Sequence, residues 1–594
     1  MDRRPAAEKA ASRGVWLPGI VNHIARFMSA NEIACTLRLV DKQTSQQFNG
    51  HRETKLSVPS PTHAFKRRWG SPNAFRGFSR LQRQKLLCLT AASGSIANLE
   101  IALDNAGLVA SSELLNAAAA AGQLEVCVLL RQRGCLWGDA LLASAARAGH
   151  RHVCEWLLAN GCPARKSPAS GAARGGHEGL MYWLMERQQL QAGPAEEFDL
   201  GKLLRAAAAG LNLEALQRLR QHLLAGHHQP QPQQQQGQDG EEEEDEVQSA
   251  AVLDAHQKAR VLGAAAGSPT PDWRAKVKWL EGLGYPRTEH AVKAAASFAS
   301  RNNADDDDDS IGRLQWLCDR GYPPTSAAAE PALKHGSVAV LHLLVERGVV
   351  PPGRGSRAQM HAAHKGHVAV LQYLLAHGDR PSPSTVSINA ADGGQLHVVA
   401  WAVEALNVTP NNNPDLLDRA ASSGNMQLLT WLQERGWTWG PEAVFDAAEG
   451  GCEEALEWLV LEQGCPLPAD GRPYSAATPH GDLAMVRCLH RLGCPWGPNQ
   501  IVKSIRLQAP IPMLRCLVEL GCPIDWEAAH AAARRQSPGE YRTALMEWLG
   551  QERRRRGAPH GPNNTVSSSS CSSSSREGCD QTCSGSGTDS AGTR

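Results

Sequence analysis

Cysteine is the residue type in this sequence best suited to metal binding or nucleophilic chemistry, and 16 cysteines are present. Five of them stand directly after a glycine, and neighbouring ones recur at intervals of about 28 residues: Cys135, Cys162, Cys465, Cys494 and Cys522. Structural zinc is held by closely paired cysteines such as C-x2-C, and cysteines so far apart in sequence do not form such a pair. We therefore predict that these cysteines are small apolar fillers beside turns.

Histidine is the second candidate, for general acid or base chemistry. His150, His177 and His367 each follow a glycine, and an acid or base role there would need a partner nucleophile. The sequence contains no G-x-S-x-G, no G-x-x-x-x-G-K-[ST] and no H-E-x-x-H motif. The sequence therefore predicts no catalytic, cofactor-binding or metal-binding residues, and a protein that is not an enzyme.

These histidines belong to a sequence motif, G-H-x-x-V-x-x-x-L-L-x-x-G, that is repeated about every 28 residues. It runs from Gly149 to Gly161 and from Gly366 to Gly378, and looser copies start at Gly122, Gly176, Gly336, Gly424, Gly451 and Gly481. Self-similarity at this period indicates a solenoid, in which each unit buries its apolar face only by stacking on its neighbours. An array also lets 594 residues exceed the size at which single cores stop growing.

Each repeat predicts two helices. Apolar residues at the fourth, fifth, eighth and ninth positions after the first glycine mark one face of a helix, as in Val340, Leu341, Leu344 and Val345. The next glycine ends that helix, because glycine adopts the left-handed conformation without penalty. An alanine-rich run before the first glycine predicts another helix that a neighbour can approach closely. No segment alternates apolar and polar residues, so we expect a mainly α chain with regular strands nearly absent.

The repeat resembles the second half of the ankyrin repeat, A-A-x-x-G-H-x-x-V-V-x-x-L-L-x-x-G-A. The segment His361–His367 matches it closely, and the resemblance covers roughly residues 88–550. It implies an ankyrin-like helical solenoid of about a dozen helix-turn-helix repeats, in which the histidine after the glycine bonds to neighbouring backbone. The T-P-L-H opening is mostly lost and the period is shorter than 33 residues. A G-C-P-W turn such as Gly493–Trp496 stands instead of the protruding hairpin.

The concave face of a solenoid is its usual binding surface, and first helices and turns line it. The most regular repeats lie between Ala327 and Gly521, so we expect the target to bind there. The candidate target-binding residues are polar or aromatic: Gln359, His364, Asp392, Arg419, Trp439, Asp446 and Trp496. The alternative is that these side chains only solvate the array or, for the tryptophans, pack between repeats.

Composition divides the chain into seven segments. Residues 15–50 predict a small helical module, 51–87 a basic linker, and 88–225 and 251–550 the repeats. Residues 1–14, a Gln/Glu-rich insert at 226–250 and an Arg/Ser-rich tail at 551–594 are predicted to be disordered, because they bury too little apolar surface to offset ordering entropy. Residues 1–90 carry 16 Lys and Arg against 5 Asp and Glu, a net +11, whereas the remainder carries −10.

The N-terminal module predicts two short helices, with Pro18 in the first turn of one and Asn31 capping the other. This segment resembles an F-box: an L-P opening, isoleucines at helical spacing, then L-R-x-V-x-K and a terminal aromatic, Phe48. The resemblance implies that five residues contact the adaptor that joins F-box proteins to a cullin-based ubiquitin ligase: Leu17, Pro18, Ile24, Leu37 and Val40. The alternative is a helical cap packed on the first repeat.

The predicted function is protein–protein interaction, as an F-box/ankyrin-type substrate receptor whose ligase supplies the chemistry while the repeats choose the target. The alternative is an ankyrin-repeat scaffold or adaptor with no link to ubiquitination. The acidic balance of the array argues against nucleic acid as a partner. No apolar stretch of about 18 residues indicates a membrane span. The charged N-terminus is not followed by an uninterrupted apolar core, so we do not expect a secretory signal; the alternative is an organelle-targeting segment, which its Ala and Arg favour and Asp2 and Glu8 oppose. We therefore expect a cytoplasmic or nuclear protein whose cysteines stay reduced.

Overall fold

The computed structural model describes residues 18–164, 167–191, 199–226, 253–301, 308–351, 353 and 356–557. The segments predicted to be disordered, 1–14 and most of 226–250 and 551–594, lie outside these ranges. The N-terminal part contains α1 (Pro18–Ala25), α2 (Ala30–Cys35), α3 (Lys42–Gln47) and α4 (Thr62–Trp69), with short 3-10 turns at Leu37–Leu39 and Pro72–Phe75. Capping boxes at Ser29 and Asp41 begin α2 and α3.

Fifteen helix pairs follow in the described residues, where the sequence predicts about a dozen. The first helices of the pairs are α5 (Arg80–Ser93), α7 (Ser112–Ala120), α9 (Leu141–Arg147), α11 (Pro168–Arg174), α13 (Leu200–Gly210), α15 (Ala255–Ala266), α17 (Glu289–Arg301), α19 (Ser326–His335), α21 (Arg357–Lys365), α23 (Pro383–Asp392), α25 (Leu416–Ser423), α27 (Ala443–Gly450), α29 (Arg472–Ala477), α31 (Gln500–Arg506) and α33 (Trp526–Arg534).

The second helices are α6 (Ile96–Ala106), α8 (Leu124–Gln132), α10 (Arg151–Ala159), α12 (Glu178–Gln191), α14 (Leu213–Gly226), α16 (Trp273–Gly282), α18 (Asp308–Asp319), α20 (Val338–Glu346), α22 (Val368–Ala376), α24 (Leu396–Leu406), α26 (Met426–Glu434), α28 (Glu453–Glu457, continued by a π turn), α30 (Leu483–Arg491), α32 (Ile511–Glu519) and α34 (Glu540–Arg555). Each first helix packs against the first helices on either side, which its buried alanines allow. The described residues form no regular strand, so the mainly α prediction is confirmed.

The structure explains why a turn glycine and a histidine recur together in the repeat motif. The turn glycine Gly149 has φ of +81°, and the ring of His177 from the next repeat lies against it, so that a Cβ at Gly149 would be 2.5 Å from the ring. His367 lies on Gly336 in the same way and hydrogen-bonds the backbone of Lys334. The predicted bond from the histidine to neighbouring backbone is therefore confirmed here.

The repeat cysteines are buried beside the turns, as predicted. Burial raises the pKa of both Cys135 and Cys522 to about 12. A thiol with so high a pKa carries almost no thiolate at neutral pH, which excludes it as a ready nucleophile.

Two element boundaries differ from those expected from composition. The first helix pair begins at Arg80, inside the predicted basic linker, because Ser79 and Gln82 form a capping box and Leu86 and Leu87 supply an apolar face. The last helix continues to Arg555, inside the predicted tail, where Glu552 pairs with arginines one turn further on. No helix in the described part of the chain combines the length and apolarity that a membrane crossing requires.

The beginning and the end of the array are in contact. Residues of the first pair contact the turns of pairs twelve and thirteen, and Arg131 of the second pair forms a 2.8 Å ion pair with Glu540 of the last pair. The solenoid therefore completes one superhelical turn in about twelve pairs. We call the contact between residues 76–135 and 451–540 the seam.

Candidate functional site at the seam

Backbone groups join the two sides of the seam. The Val109 N–H donates to the Gly481 carbonyl at 2.9 Å, and the Ala484 N–H donates to the Gly107 carbonyl at 3.0 Å. Gly107 leaves no room for a side chain, because a Cβ there would overlap Ala484. Close backbone approach thus fixes the register of the seam.

A buried ion pair lies at the centre of the seam. Both carboxylate oxygens of Asp482 accept from the guanidinium of Arg83, at 2.5 and 3.0 Å, and the two side chains are 0% and 1% exposed. Arg83 also donates to the carbonyls of Ala106 at 2.9 Å and Gly451 at 2.7 Å. Removing one partner of such a pair leaves an uncompensated buried charge, which costs about 3–5 kcal/mol.

A cleft of about 400 Å³ opens beside this ion pair. One wall is the start of α5, residues 79–82, and the other is formed by the ends of the first helices of pairs nine to twelve. His364, Asp392 and Arg419, three of the predicted target-binding residues, line this cleft together with Glu449. The structure therefore brings these three together on the rim that faces the first repeat.

Two carboxyl groups in or beside the cleft have raised pKa values. Asp446 is buried next to the cleft, with Arg419 at 3.6 Å, and burial raises the pKa of Asp446 to about 6. Burial likewise raises the pKa of Asp392, which the nearby Arg419 partly opposes. Perturbed carboxyls in a cleft are a signal of a binding site, since a ligand that approaches them can change their protonation.

The other predicted target-binding residues take part in packing. Gln359 is fully buried in α21. Trp439 packs edge-on against Trp458 with ring centroids 5.6 Å apart, and Trp496 stacks on Tyr474 at 4.2 Å. The two tryptophans therefore lie between neighbouring pairs, away from the cleft lining.

The predicted adaptor-binding residues are divided between the core and the surface of the N-terminal module. Leu17 lies outside the described residues, and Pro18 begins α1. Leu37 belongs to the small core of the module, with Val21, Ile33 and Phe48, so it supports the module from within. Ile24 and Val40 are exposed.

Among the residues that the structure describes, Glu453, Glu457 and Cys488 near the seam form one group of possible metal ligands. Glu457 already pairs with Arg76 and Arg491. The pKa of the Cys488 thiol is raised to about 12 by burial. These contacts make the group an ion-pair network across the seam, because two guanidinium groups supply the positive charge a cation would bring.

The sequence contains signals for the seam that periodicity alone does not reveal. Arg83 lies three and four residues before Leu86 and Leu87, which places a charge on the apolar face of α5. Asp482 stands after a turn glycine, where other repeats have histidine, and caps α30 by accepting from the Met485 N–H at 3.1 Å. A charged residue on an apolar helix face indicates a buried partner.

Comparison with known proteins gives a helical-repeat likeness only. No family model and no curated protein matches this chain. Among solved structures it is similar to the pentatricopeptide repeat protein PPR10 from maize, with 14% identity over 80% of each chain and a TM-score of 0.21. It is also similar to PPR10 in complex with an 18-nt psaJ RNA element, with 13% identity over 90% of this chain and 94% of that one, and a TM-score of 0.17. Scores this low carry no argument about function.

One prediction about partners is corrected. Two of the similar helical-repeat structures are complexes with RNA. The acidic balance of the array does not exclude nucleic acid from this chain, because residues 18–90 carry 12 Lys and Arg against 3 Asp and Glu. The overall acidity of an array is a weak guide because binding depends on the local distribution of charge. The chain is a helical-repeat protein, a fold that typically mediates binding.

Proposed function

We propose that this chain is a protein-binding array whose N-terminal module attaches it to a second protein, as an F-box-like substrate receptor of a cullin-based ubiquitin ligase. The observation that carries the proposal is an apolar face left open on the N-terminal module. In this proposal the ankyrin-like array selects the target and the ligase supplies the chemistry.

The exposed apolar residues lie on two elements of the module, and we call them together the apolar face. Ile20, Ile24 and Phe27 follow one another at helical spacing in and just after α1, and they are 45%, 37% and 80% exposed. Leu39 and Val40, 54% and 45% exposed, lie at and just after the end of the 3-10 turn. Several large apolar side chains exposed on so small a module favour an interaction site, since burying them against a partner is favourable.

The array offers the target a different surface. The seam cleft is lined by ionisable side chains, among them His364, Asp392, Arg419 and Glu449. Such a surface suits a polar segment of a target protein, recognised by hydrogen bonds and charge. Two surfaces of opposite character on one chain are what a receptor needs to hold two partners at once.

Capture from a cell lysate tests the proposal, with probes for the adaptor and the cullin. The variant Ile24→Asp/Val40→Asp places two charges on the apolar face, and we expect capture to fall about tenfold or more. The matched control is Val350→Asp/Leu461→Asp, which changes two apolar residues of the array that are more exposed than Ile24 and Val40 and should capture as wild type does. Absence of the adaptor from the wild-type lane would contradict the proposal and leave the ankyrin-repeat scaffold.

A further inference from the structure

A second cleft lies between the N-terminal module and α4. Its volume is about 490 Å³. Leu39, Leu56 and Phe65 form apolar walls, and Arg67 and Arg68 are on its rim. No acidic residue is among the residues that line it. We call this the basic cleft.

The charge around the basic cleft is not neutralised. Residues 18–90 contain 12 Lys and Arg against 3 Asp and Glu, a net +9. Two of those acids, Glu32 and Asp41, accept hydrogen bonds within helix caps. Lys66, Arg67 and Arg68 are exposed, and none has a carboxylate within 4.0 Å in the described part of the chain. The cleft therefore presents free cations at low cost of desolvation.

An aromatic cluster holds one of these cations in place. The guanidinium of Arg68 lies over the ring of Trp69, 4.4 Å from its centroid. Trp69 in turn packs against Phe75 and Phe78, at 5.3 and 5.7 Å between ring centroids. A stacked guanidinium keeps its N–H groups free for bidentate contact with a phosphate, and it loses little conformational entropy on binding.

We propose that the basic cleft binds single-stranded nucleic acid. Phosphates would contact Arg67 and Arg68 on the rim, and a base would enter between the apolar walls of Leu39 and Phe65. Cationic grooves with aromatic or apolar platforms are the usual solution for strands without sequence preference. The cleft volume of about 490 Å³ is within the range of pockets that hold a single small-molecule group such as a nucleotide.

This inference goes beyond the substrate-receptor proposal and depends on different side chains. Capture of the adaptor depends on Ile24 and Val40, whereas the basic cleft depends on Arg67 and Arg68. Only Leu39 lies on both surfaces among the residues named for them. Failure of one proposal can therefore be distinguished from failure of the other by assaying both partners with the same variants.

Fluorescence anisotropy of the full chain with a labelled 20-nucleotide polyuridylate tests the inference. We expect wild-type affinity to fall as salt rises from 50 to 200 mM, because bound phosphates release counterions. Arg67→Glu/Arg68→Glu should weaken binding about tenfold or more and reduce the slope of log affinity against log salt by about 1.4, which corresponds to two lost phosphate contacts. Arg67→Gln/Arg68→Gln should give an intermediate loss.

The matched control uses two other arginines that stack on tryptophan. Arg187 lies over Trp183 and Arg435 over Trp431, both in the array. Arg187→Glu/Arg435→Glu removes the same chemistry elsewhere and should leave RNA binding within about twofold of wild type. Circular dichroism and melting of each variant check that it is folded.

Three results would overturn the inference. Wild type that gives no anisotropy change at 50 mM salt excludes the site, and an equal loss in the control assigns binding to overall charge. Flotation with phosphatidylserine vesicles that depends on Arg67 and Arg68, without RNA binding, assigns the surface to a membrane. Adaptor capture should be unchanged in Arg67→Glu/Arg68→Glu, which keeps this test separate from the previous one.

Discussion

The array and the N-terminal module differ in the size of the apolar core that each one forms. In the described residues the array shares one large core, which runs from Phe65 of α4 to Leu549, and its buried Arg83 is paired with the buried Asp482. The module has four buried apolar residues in its core and leaves five large apolar residues exposed nearby. A module this small buries too little surface to be self-sufficient, so the difference indicates which part of the chain depends on a partner.

Lys276 shows how the array supplies hydrogen-bond acceptors for a buried charge. This lysine is fully buried in α16, and its Nζ donates to the carbonyls of Ala208 at 2.9 Å and Leu211 at 2.8 Å and to the Ser268 hydroxyl at 2.7 Å. Burial lowers the pKa of Lys276 to about 8. The ammonium thus binds the carbonyl end of α13 to the following pair, where a C-terminal dipole favours a cation.

The largest expected effect comes from breaking the seam. Asp482→Asn keeps a side-chain oxygen for the cap of α30 but leaves the buried guanidinium of Arg83 without a counter-charge. We expect the free energy of unfolding, from urea denaturation, to fall by about 3 kcal/mol or more. Arg83→Met/Asp482→Asn should lose less than the sum of the two single changes, because no buried charge remains.

The contrast with the module supplies the control for that measurement. Ile24→Asp/Val40→Asp changes only exposed side chains, and we expect its effect on unfolding to stay within about 0.5 kcal/mol. The same holds for Glu519→Ala, which changes an exposed acidic residue at the end of α32. A loss for Asp482→Asn no larger than for these variants would show that the seam contributes nothing to stability.

A smaller and pH-dependent effect is expected at the seam cleft. Because the folded pKa of Asp446 is about 6 and the unfolded value is 3.8, the folded state binds the proton more tightly. The stability from this carboxyl is fully present below pH 3.8 and is lost as pH rises through about 6. Asp446→Asn, which mimics the protonated form, should therefore be more stable than wild type at pH 7.5, by up to about 3 kcal/mol.

The pH profile of that variant separates titration from packing. The difference in melting temperature between Asp446→Asn and wild type should shrink as pH falls from about 7 to 4. A constant difference across that range would assign the effect to side-chain packing. Asp525→Asn is the matched control, because Asp525 only caps α33 and its carboxyl accepts from the Ala528 N–H at 3.0 Å.

Local patterns were sufficient to predict the repeat, because each helix pair is specified by residues close in sequence. The stop glycines, the buried cysteines and the histidine contacts all follow from the period of the repeat. The seam does not follow from the period, because Arg83 and Asp482 are 399 positions apart and their pairing is not part of the repeated pattern. The start of the first pair was not predicted, because the Lys and Arg around Leu86 give its helix the composition of a linker.

The candidate site was predicted in part for a related reason. His364, Asp392 and Arg419 lie on the rim at the ends of first helices, where the period places them. Whether a turn residue points outward depends on the neighbouring pair, and Trp439 and Trp496 point into it. Burial of Gln359 depends in the same way on how the pairs pack around α21, which no single repeat specifies.

Hydrogen exchange at two backbone amides tests most directly whether the array is closed on itself. The Ala484 N–H lies in the first turn of α30, where no intrahelical acceptor exists, and its acceptor among the described residues is the Gly107 carbonyl across the seam. Ala369 occupies the matching position in α22 without such an acceptor in the described residues, and it serves as the internal reference. We predict slow exchange at Ala484 and Val109, fast exchange at Ala369, and joint loss of protection at both seam amides in Asp482→Asn. Exchange at Ala484 and Val109 as fast as at Ala369 in the wild-type protein would contradict the closed array.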